Sequence, residues 1–208
     1  MKTTDHEPLH VSIESGNGST IKGAIYGKGG ITIILSNMDT NMVEEWDPVI
    51  DKLLMSGYDV ISYTYNKKEN DCIYDLYDVM KFAEERNNKE KLILMGASRG
   101  GVISLKAAIE SGSRRNIAAV IALSAPQVYE GVEFYSDMEL GQIAIPVFLI
   151  NSELDDGAAD TKKMFSILKG KKEILICRGD CHGTYMFHDN REILLERIGN
   201  FLAGMQNY

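Results

Sequence analysis

Apolar runs of strand length, rich in Ile and Val, alternate along this chain with segments whose apolar residues recur at helical spacing. The runs are HVSIES (10–15), IKGAIYG (21–27), ITIILSN (31–37), DVISYTY (59–65), KLILMGA (91–97), IAAVIALSA (117–125), PVFLINS (146–152) and EILICRG (173–179). The first two alternate polar and apolar residues around GNGS, the pattern of an antiparallel hairpin with one wet face. The later runs are nearly continuous in apolar residues, as strands of a parallel sheet covered on both faces must be. Between them, Val49, Ile50, Leu53 and Leu54 form a stripe that Asp47-Pro48 opens and Gly57 closes. Ile73, Leu76, Met80 and Ala83 share a face behind a cap at Asp71, and Val102, Leu105, Ala108 and Ile109 repeat the pattern before Gly112. Met164, Ile167 and Leu168 mark a further helix, and Ile193, Leu194, Ile198, Phe201 and Leu202 mark the last one, behind a cap at Asn190. This order predicts a doubly wound α/β fold: a mostly parallel eight-stranded sheet with an antiparallel N-terminal hairpin and helices on both faces. No linker or repeat divides the chain, so residues 1–208 are expected to form a single domain.

Composition narrows the class of function. Hydrophobic residues make up 44% and charged residues 25%, ordinary for a globular chain, and no apolar run reaches the roughly 18 residues of a membrane span. The N-terminal stretch MKTTDHEPLHVSIES lacks the apolar core of a secretory signal, and three cysteines read as reduced thiols, so the expected location is cytoplasmic. A net charge of −8, with only scattered basic pairs such as Lys67-Lys68 and Lys171-Lys172, argues against nucleic acid and anionic membrane as partners. Oligomeric state is not legible.

In open α/β sheets, ligands bind outside the carboxyl ends of the strands, so chemistry is sought in the loops that follow them. The sharpest such loop is Gly96-Ala97-Ser98-Arg99-Gly100, a G-x-S-x-G string at the junction of an apolar strand and an amphipathic helix. The string alone is weak evidence, and its placement carries the weight. A turn that tight lifts Ser98 clear of the sheet, and the Arg99 N–H opens the helix where it can stabilise a developing oxyanion. A serine nucleophile needs a base, and the base an orienting acid, in the chain order Ser, acid, His. Both are found after later strands: Glu153-Leu154-Asp155-Asp156 follows PVFLINS, and Asp180-Cys181-His182-Gly183 follows EILICRG.

With these motifs the chain resembles the α/β-hydrolase superfamily, near its small lidless dienelactone-hydrolase-like and carboxylesterase-like members. The resemblance covers about residues 10–203 and rests on the elbow Gly96 to Gly101, the acid strand and loop PVFLINSELDD, and the histidine loop GDCHGTYMF. It implies a serine hydrolase of carboxylic esters or thioesters with the triad Ser98, Asp155 and His182, no cofactor and no metal, and a small-molecule acyl substrate. Asp155 is the acid because Ser152-Glu153-Leu154-Asp155 aligns with the superfamily's G-x-x-D, with Glu153 and Asp156 as alternatives. The oxyanion donors by position are the backbone N–H groups of Met38 and Arg99. Two departures stand out. Ser36-Asn37 replaces His-Gly after the third strand, where Asn is expected to tolerate the left-handed backbone the missing glycine would supply. Tyr65-Asn66-Lys67-Lys68 replaces Asp-x-Arg-Gly after the fourth.

The segment between Ala125 and Pro146 is too short for a large cap, so the cleft is expected to be open and lined by Phe134, Tyr135 and Met138, with Trp46, Met38 and Met42 at its mouth. Acyl transfer to an acceptor other than water is a variant of the same chemistry. The second reading, prompted by the lost His-Gly, is a non-catalytic binding or regulatory protein on the same fold. A third comes from Cys177-x3-Cys181 and His182-x5-His188, spacings that zinc sites use. Against it, Cys177 reads as strand core and His188 as a surface residue, His182 has a use as the base, and His6 and His10 lie near a terminus.

Overall fold

The computed structural model describes residues 7–16, 18–27, 30–66, 72–86, 91–111 and 116–205. The calls on His6, Lys67, Lys68, the cap Asp71 and the stop Gly112 lie outside the described residues. All eight expected strands form: β1 (Leu9–Glu14), β2 (Thr20–Tyr26), β3 (Thr32–Ser36), β4 (Asp59–Tyr63), β5 (Leu92–Ala97), β6 (Ile117–Leu123), and, after a two-strand ribbon β7 (Val128–Tyr129) and β8 (Val132–Glu133), β9 (Val147–Ser152) and β10 (Lys172–Cys177). The main sheet has the order β1-β2-β4-β3-β5-β6-β9-β10. β1 pairs antiparallel with β2, and β2 with β4; every other pairing is parallel.

Period-two alternation sends successive side chains to opposite faces, and two separate cores result. On one face Ile34, Leu94, Val120 and Leu149 meet the helices α2 (Cys72–Arg86), α3 (Arg99–Ser111) and α5 (Ala158–Ile167). On the other, Ile33, Leu35, Ile93, Met95, Ile121 and Phe148 meet α1 (Asp47–Met55) and α7 (Arg191–Ala203). Two short helices, α4 (Asp137–Leu140) and α6 (Met186–Asp189), fill the connections before β9 and α7.

The helix ends differ from expectation in two places. A 3₁₀ turn, Val43–Trp46, runs into α1, so the N-cap is Trp46 and Asp47 is already helical; no side chain caps this end. Asn190 is the N-cap of α7, but its side chain donates to the Arg178 carbonyl at 3.1 Å instead of capping the helix. Ile193, assigned to the α7 stripe, is partly exposed, while Leu194, Ile198, Phe201 and Leu202 are buried. Gly57 stops α1 as expected, in a left-handed conformation (φ +84°) that L side chains resist.

Parallel pairing aligns the carboxyl ends of five strands. Ser36 pairs with Gly96, Ala97 with Leu123, Leu123 with Ile150, and Ser152 with Cys177. The loops carrying Met38, Ser98, Ser124, Asp155 and His182 therefore leave the sheet side by side.

Candidate active site

Ser98 sits between β5 and α3 with φ 50°, a left-handed conformation that costs a non-glycine residue roughly 1–3 kcal/mol. Two backbone bonds hold it there: its N–H donates to the Leu123 carbonyl at 2.8 Å, and its carbonyl accepts from the Val102 N–H at 3.0 Å. The three glycines around it are sterically required. A Cβ on Gly96 would stand 2.2 Å from the Gly100 backbone, and one on Gly100 would stand 2.0 Å from the Ser36 carbonyl oxygen. A Cβ on Gly101 would meet Ala125 at 2.8 Å. Gly100→Ala is therefore expected to destabilise the fold by at least ~3 kcal/mol, because both clashing partners are backbone and cannot rotate away. The midpoint of urea unfolding reads this directly, and an unchanged midpoint would contradict the packing.

Asp155 and His182 come together across 27 residues of chain, with His182 Nδ1 to Asp155 Oδ2 at 2.6 Å, in the range of charge-assisted hydrogen bonds. The Asp155 side chain is 5% exposed and that of His182 44%. Asp155 Oδ1 accepts the Gly157 N–H at 2.8 Å. Burial acts to raise the Asp155 carboxyl, but the hydrogen bonds from His182, the Gly157 N–H and Asn151 outweigh it and hold the group below its ordinary value. An ionised carboxylate only accepts, so the proton on that ring nitrogen belongs to His182 Nδ1 and leaves Nε2 as an acceptor. Glu153 and Asp156 are exposed and make no bond to His182.

Ser98, Asp155 and His182 line one cavity of about 1010 Å³. Val102 and Ile103 of α3, with Ile73 of α2, form an apolar wall; Val128, Tyr129 and Phe134 from the ribbon β7–β8 and the residues after it face it. Of the three pocket residues expected from the sequence, only Phe134 lines the cavity. Tyr135 is buried in the core and donates its hydroxyl to the Pro126 carbonyl, and Met138 is 74% exposed on α4, away from the cavity. All three follow β8, where the chain passes into α4, and there neighbours in sequence go to the site, the core and the solvent. Trp46, expected at the mouth, is fully buried, and Met42 is exposed outside the cavity.

The loop after β3 departs most from expectation. Asn37 does not adopt a left-handed backbone; that conformation belongs to Asn41 (φ 53°). Asn37 is instead a buried polar brace: its Oδ1 accepts the Trp46 indole N–H, its Nδ2 donates to the Tyr63 carbonyl, and its own carbonyl accepts the Tyr65 hydroxyl. The Met38 N–H, expected as an oxyanion donor, donates to Glu45 Oε1 at 2.6 Å and is not free. The other Glu45 oxygen accepts the Thr40 hydroxyl. Met38 contributes through its side chain, whose sulfur packs where a Cβ on Gly183 would lie, at 2.3 Å, and so supports the histidine loop. The Arg99 N–H opens α3, where a helix leaves its first donors without intrahelical acceptors. The Arg99 guanidinium pairs with Asp39 and donates to Cys72 Sγ at 3.5 Å, and all three residues line the cavity.

Burial raises the Glu45 carboxyl, against the opposing effect of its bonds to Thr40 and Met38. A carboxyl raised in the folded state contributes stability that is present below its unfolded value and lost as pH rises through its folded value. Glu45→Gln keeps an acceptor for the Met38 N–H and removes the buried charge. The variant is expected to gain stability over wild type at pH 8, with the difference vanishing near pH 4, in thermal melts at the two pH values.

The residues proposed for zinc do not gather. Cys177 is core, Cys181 Sγ lies 3.4 Å from Asp189 Oδ2, and exposed His188 lies beside the Tyr185 ring at a tilt of 41°. Among the described residues no three His, Cys, Asp or Glu side chains are close enough to hold a metal ion, and no helix is long and apolar enough to cross a membrane.

Three residues at the site escaped sequence reasoning: Ser124, Asn151 and Thr161, all buried. The available signal was Asn151 itself, a polar residue inside an otherwise apolar strand, which must find partners when buried.

No family model and no curated protein sequence matches this chain. Solved structures do. An esterase of Pyrococcus furiosus is similar at a TM-score of 0.82 and 17% identity, over 96% of this chain and 91% of that one. Est1E from Butyrivibrio proteoclasticus is similar at 0.80 and 13%, over 96% and 99%. A dienelactone hydrolase from Anabaena variabilis is similar at 0.78 and 14%, over 97% and 99%. On these similarities, and with its own mostly parallel eight-stranded sheet, this chain has the α/β-hydrolase fold.

Proposed function

We propose that this protein is a serine hydrolase that cleaves a carboxylic ester or thioester through an acyl-enzyme on Ser98. The observation that carries the reading is the 2.6 Å bond between Asp155 and His182 Nδ1, beside a serine on a strained elbow, in one cavity. His182 Nε2 takes the Ser98 proton as the hydroxyl attacks the acyl carbonyl, then delivers it to the departing alcohol or thiol. Asp155 holds the ring in the tautomer this requires and stabilises the imidazolium that forms. The Arg99 N–H, at the positive end of α3, receives the charge that develops on the carbonyl oxygen. The Met38 N–H joins it when Glu45 releases it. Water then enters as the second nucleophile, with His182 as base, and frees the acid. None of these steps calls on a cofactor.

The apolar wall of α3 and the aromatic residues of the ribbon favour an acyl or alcohol group with substantial apolar area. The small-molecule character of the substrate and the esterase chemistry agree with the names of the similar structures. A single domain and a cytoplasmic setting fit the same reading.

One observation favours a second reading, a binding protein without turnover: the Met38 N–H is occupied by Glu45. Rapid mixing with p-nitrophenyl esters of increasing acyl length separates the two. The hydrolase gives a burst of p-nitrophenol up to one per protein followed by steady turnover; binding without release of p-nitrophenol across the series contradicts it.

A further inference from the structure

The sheet carries a second strained serine. Ser124 follows β6 as Ser98 follows β5, with φ 46°, and it is 1% exposed. Its N–H donates to the Ile150 carbonyl at 2.8 Å, which ties the turn to β9. Its hydroxyl is used in both directions: Oγ donates to Asn151 Oδ1 at 2.8 Å and accepts the Gly183 N–H at 2.9 Å. Asn151, fully buried in β9, is committed as well. Its Oδ1 also accepts the Ser152 N–H at 2.8 Å, and its Nδ2 donates to Thr161 Oγ1 of α5 at 2.9 Å. The same side chain helps hold the Asp155 carboxyl below its ordinary value. On the other side of the histidine, Ser152 Oγ donates to the Cys181 carbonyl at 2.6 Å.

His182 is thus held by its neighbours. The residue before it is fixed through its carbonyl by Ser152, and the residue after it through its N–H by Ser124. Both serines leave the sheet from strands that flank or carry the acid. Gly183 is itself left-handed, at φ 56°, and a Cβ there would press on the Met38 sulfur. The 2.6 Å bond to Asp155 sets the rotamer of the 44% exposed His182 ring only where the backbone keeps the ring within reach of the carboxylate, and the ties at Cys181 and Gly183 hold that backbone.

We propose that Ser124, through its hydroxyl, and Asn151, through its amide, are positioning residues that hold the His182 loop in register with Asp155. This rests on the triad reading above. Neither residue enters the proposed chemistry. The strain at Ser124 is consistent with such a role: a left-handed non-glycine residue persists where its surroundings over-determine it, and here the hydroxyl is what a glycine would lack.

The test uses Ser124→Ala, which removes only the hydroxyl and keeps the Cβ, and Ser124→Gly as a second variant, which loses the Cβ as well but suits the left-handed turn. Both are expected to lower kcat roughly 10- to 100-fold with a much smaller change in KM, because Ser124, 1% exposed, is a minor part of the cavity lining while the base is misplaced. An independent readout is the far-downfield proton resonance of the His182 Nδ1–H bonded to Asp155, expected sharp in wild type and broadened or lost in both variants. Thermal melts establish that the variants fold. If wild-type protein fails to turn over any ester, the triad reading falls, and the resonance still decides the positioning role. An unchanged resonance in Ser124→Gly, or wild-type kcat in that variant, overturns it.

Discussion

Ser98→Ala is expected to lower kcat by a factor on the order of 10⁵ to 10⁶ with the fold intact, the size of loss seen when a triad serine is removed. The variant isolates the hydroxyl. Both bonds that hold residue 98 in the elbow are made by its backbone, to Leu123 and from Val102, and alanine keeps them. Alanine pays the same left-handed strain as serine, so no compensating gain in stability is expected at φ 50°. Substrate binding also survives, since the cavity walls come from α2, α3 and the ribbon β7–β8. KM should therefore stay within a few-fold of wild type while kcat collapses to the residual rate that the Arg99 N–H and binding alone supply. Steady-state kinetics on a p-nitrophenyl ester checks both; wild-type kcat in a folded variant would place the chemistry elsewhere.

Asp155→Asn is expected to cost on the order of 10⁴-fold in kcat, for a reason specific to this site. The Gly157 N–H donates to Asp155 Oδ1, and His182 Nδ1 meets Oδ2. In the variant the amide oxygen stays with Gly157, so the amide nitrogen faces His182. Two donors cannot share that contact. The imidazole must move its proton to Nε2, and the nitrogen that should accept from Ser98 becomes a donor. The acid limb of stability should change in step. The wild-type carboxyl, held below its ordinary value, contributes stability that is present above the ordinary carboxylate range and lost as pH falls through its lowered folded value. Asp155→Asn lacks that contribution, so its stability deficit relative to wild type should narrow as pH falls. A deficit that persists at low pH would contradict the assignment of the shift to this carboxyl.

Much of the architecture could be read from pattern because strands buried on both faces have no polar position to hide. Ile33, Ile34 and Leu35 are all fully buried although they alternate between two cores, and the run reads as continuous for that reason. The elbow could be read because Gly96 and Gly100 answer to backbone atoms within their own turn and in β3, a constraint that forces the residue type. Asp155 and His182 were reachable as candidates because each falls in a loop directly after one of the last two strands. The misses share a different cause. Whether the Met38 N–H is free depends on Glu45, a side chain seven residues away on a 3₁₀ turn, and no periodicity reports where its carboxylate ends. Phe134, Tyr135 and Met138 lie where the two-residue β8 passes into the four-residue α4, elements too short for any periodicity to register, so they could not be told apart. The link between Ser124, Asn151 and Gly183 joins two loops and a strand far apart in sequence, and the registers of β6 against β9 and of β9 against β10 bring them together.

The most direct measurement of the central claim is covalent labelling of the folded wild-type protein with a fluorophosphonate, followed by mass mapping of the modified peptide. A proton-withdrawing His182, oriented by Asp155, predicts one adduct per chain on Ser98, with no adduct in Ser98→Ala. Folded wild-type protein that remains unlabelled, or carries its adduct on another residue, would contradict the proposed nucleophile.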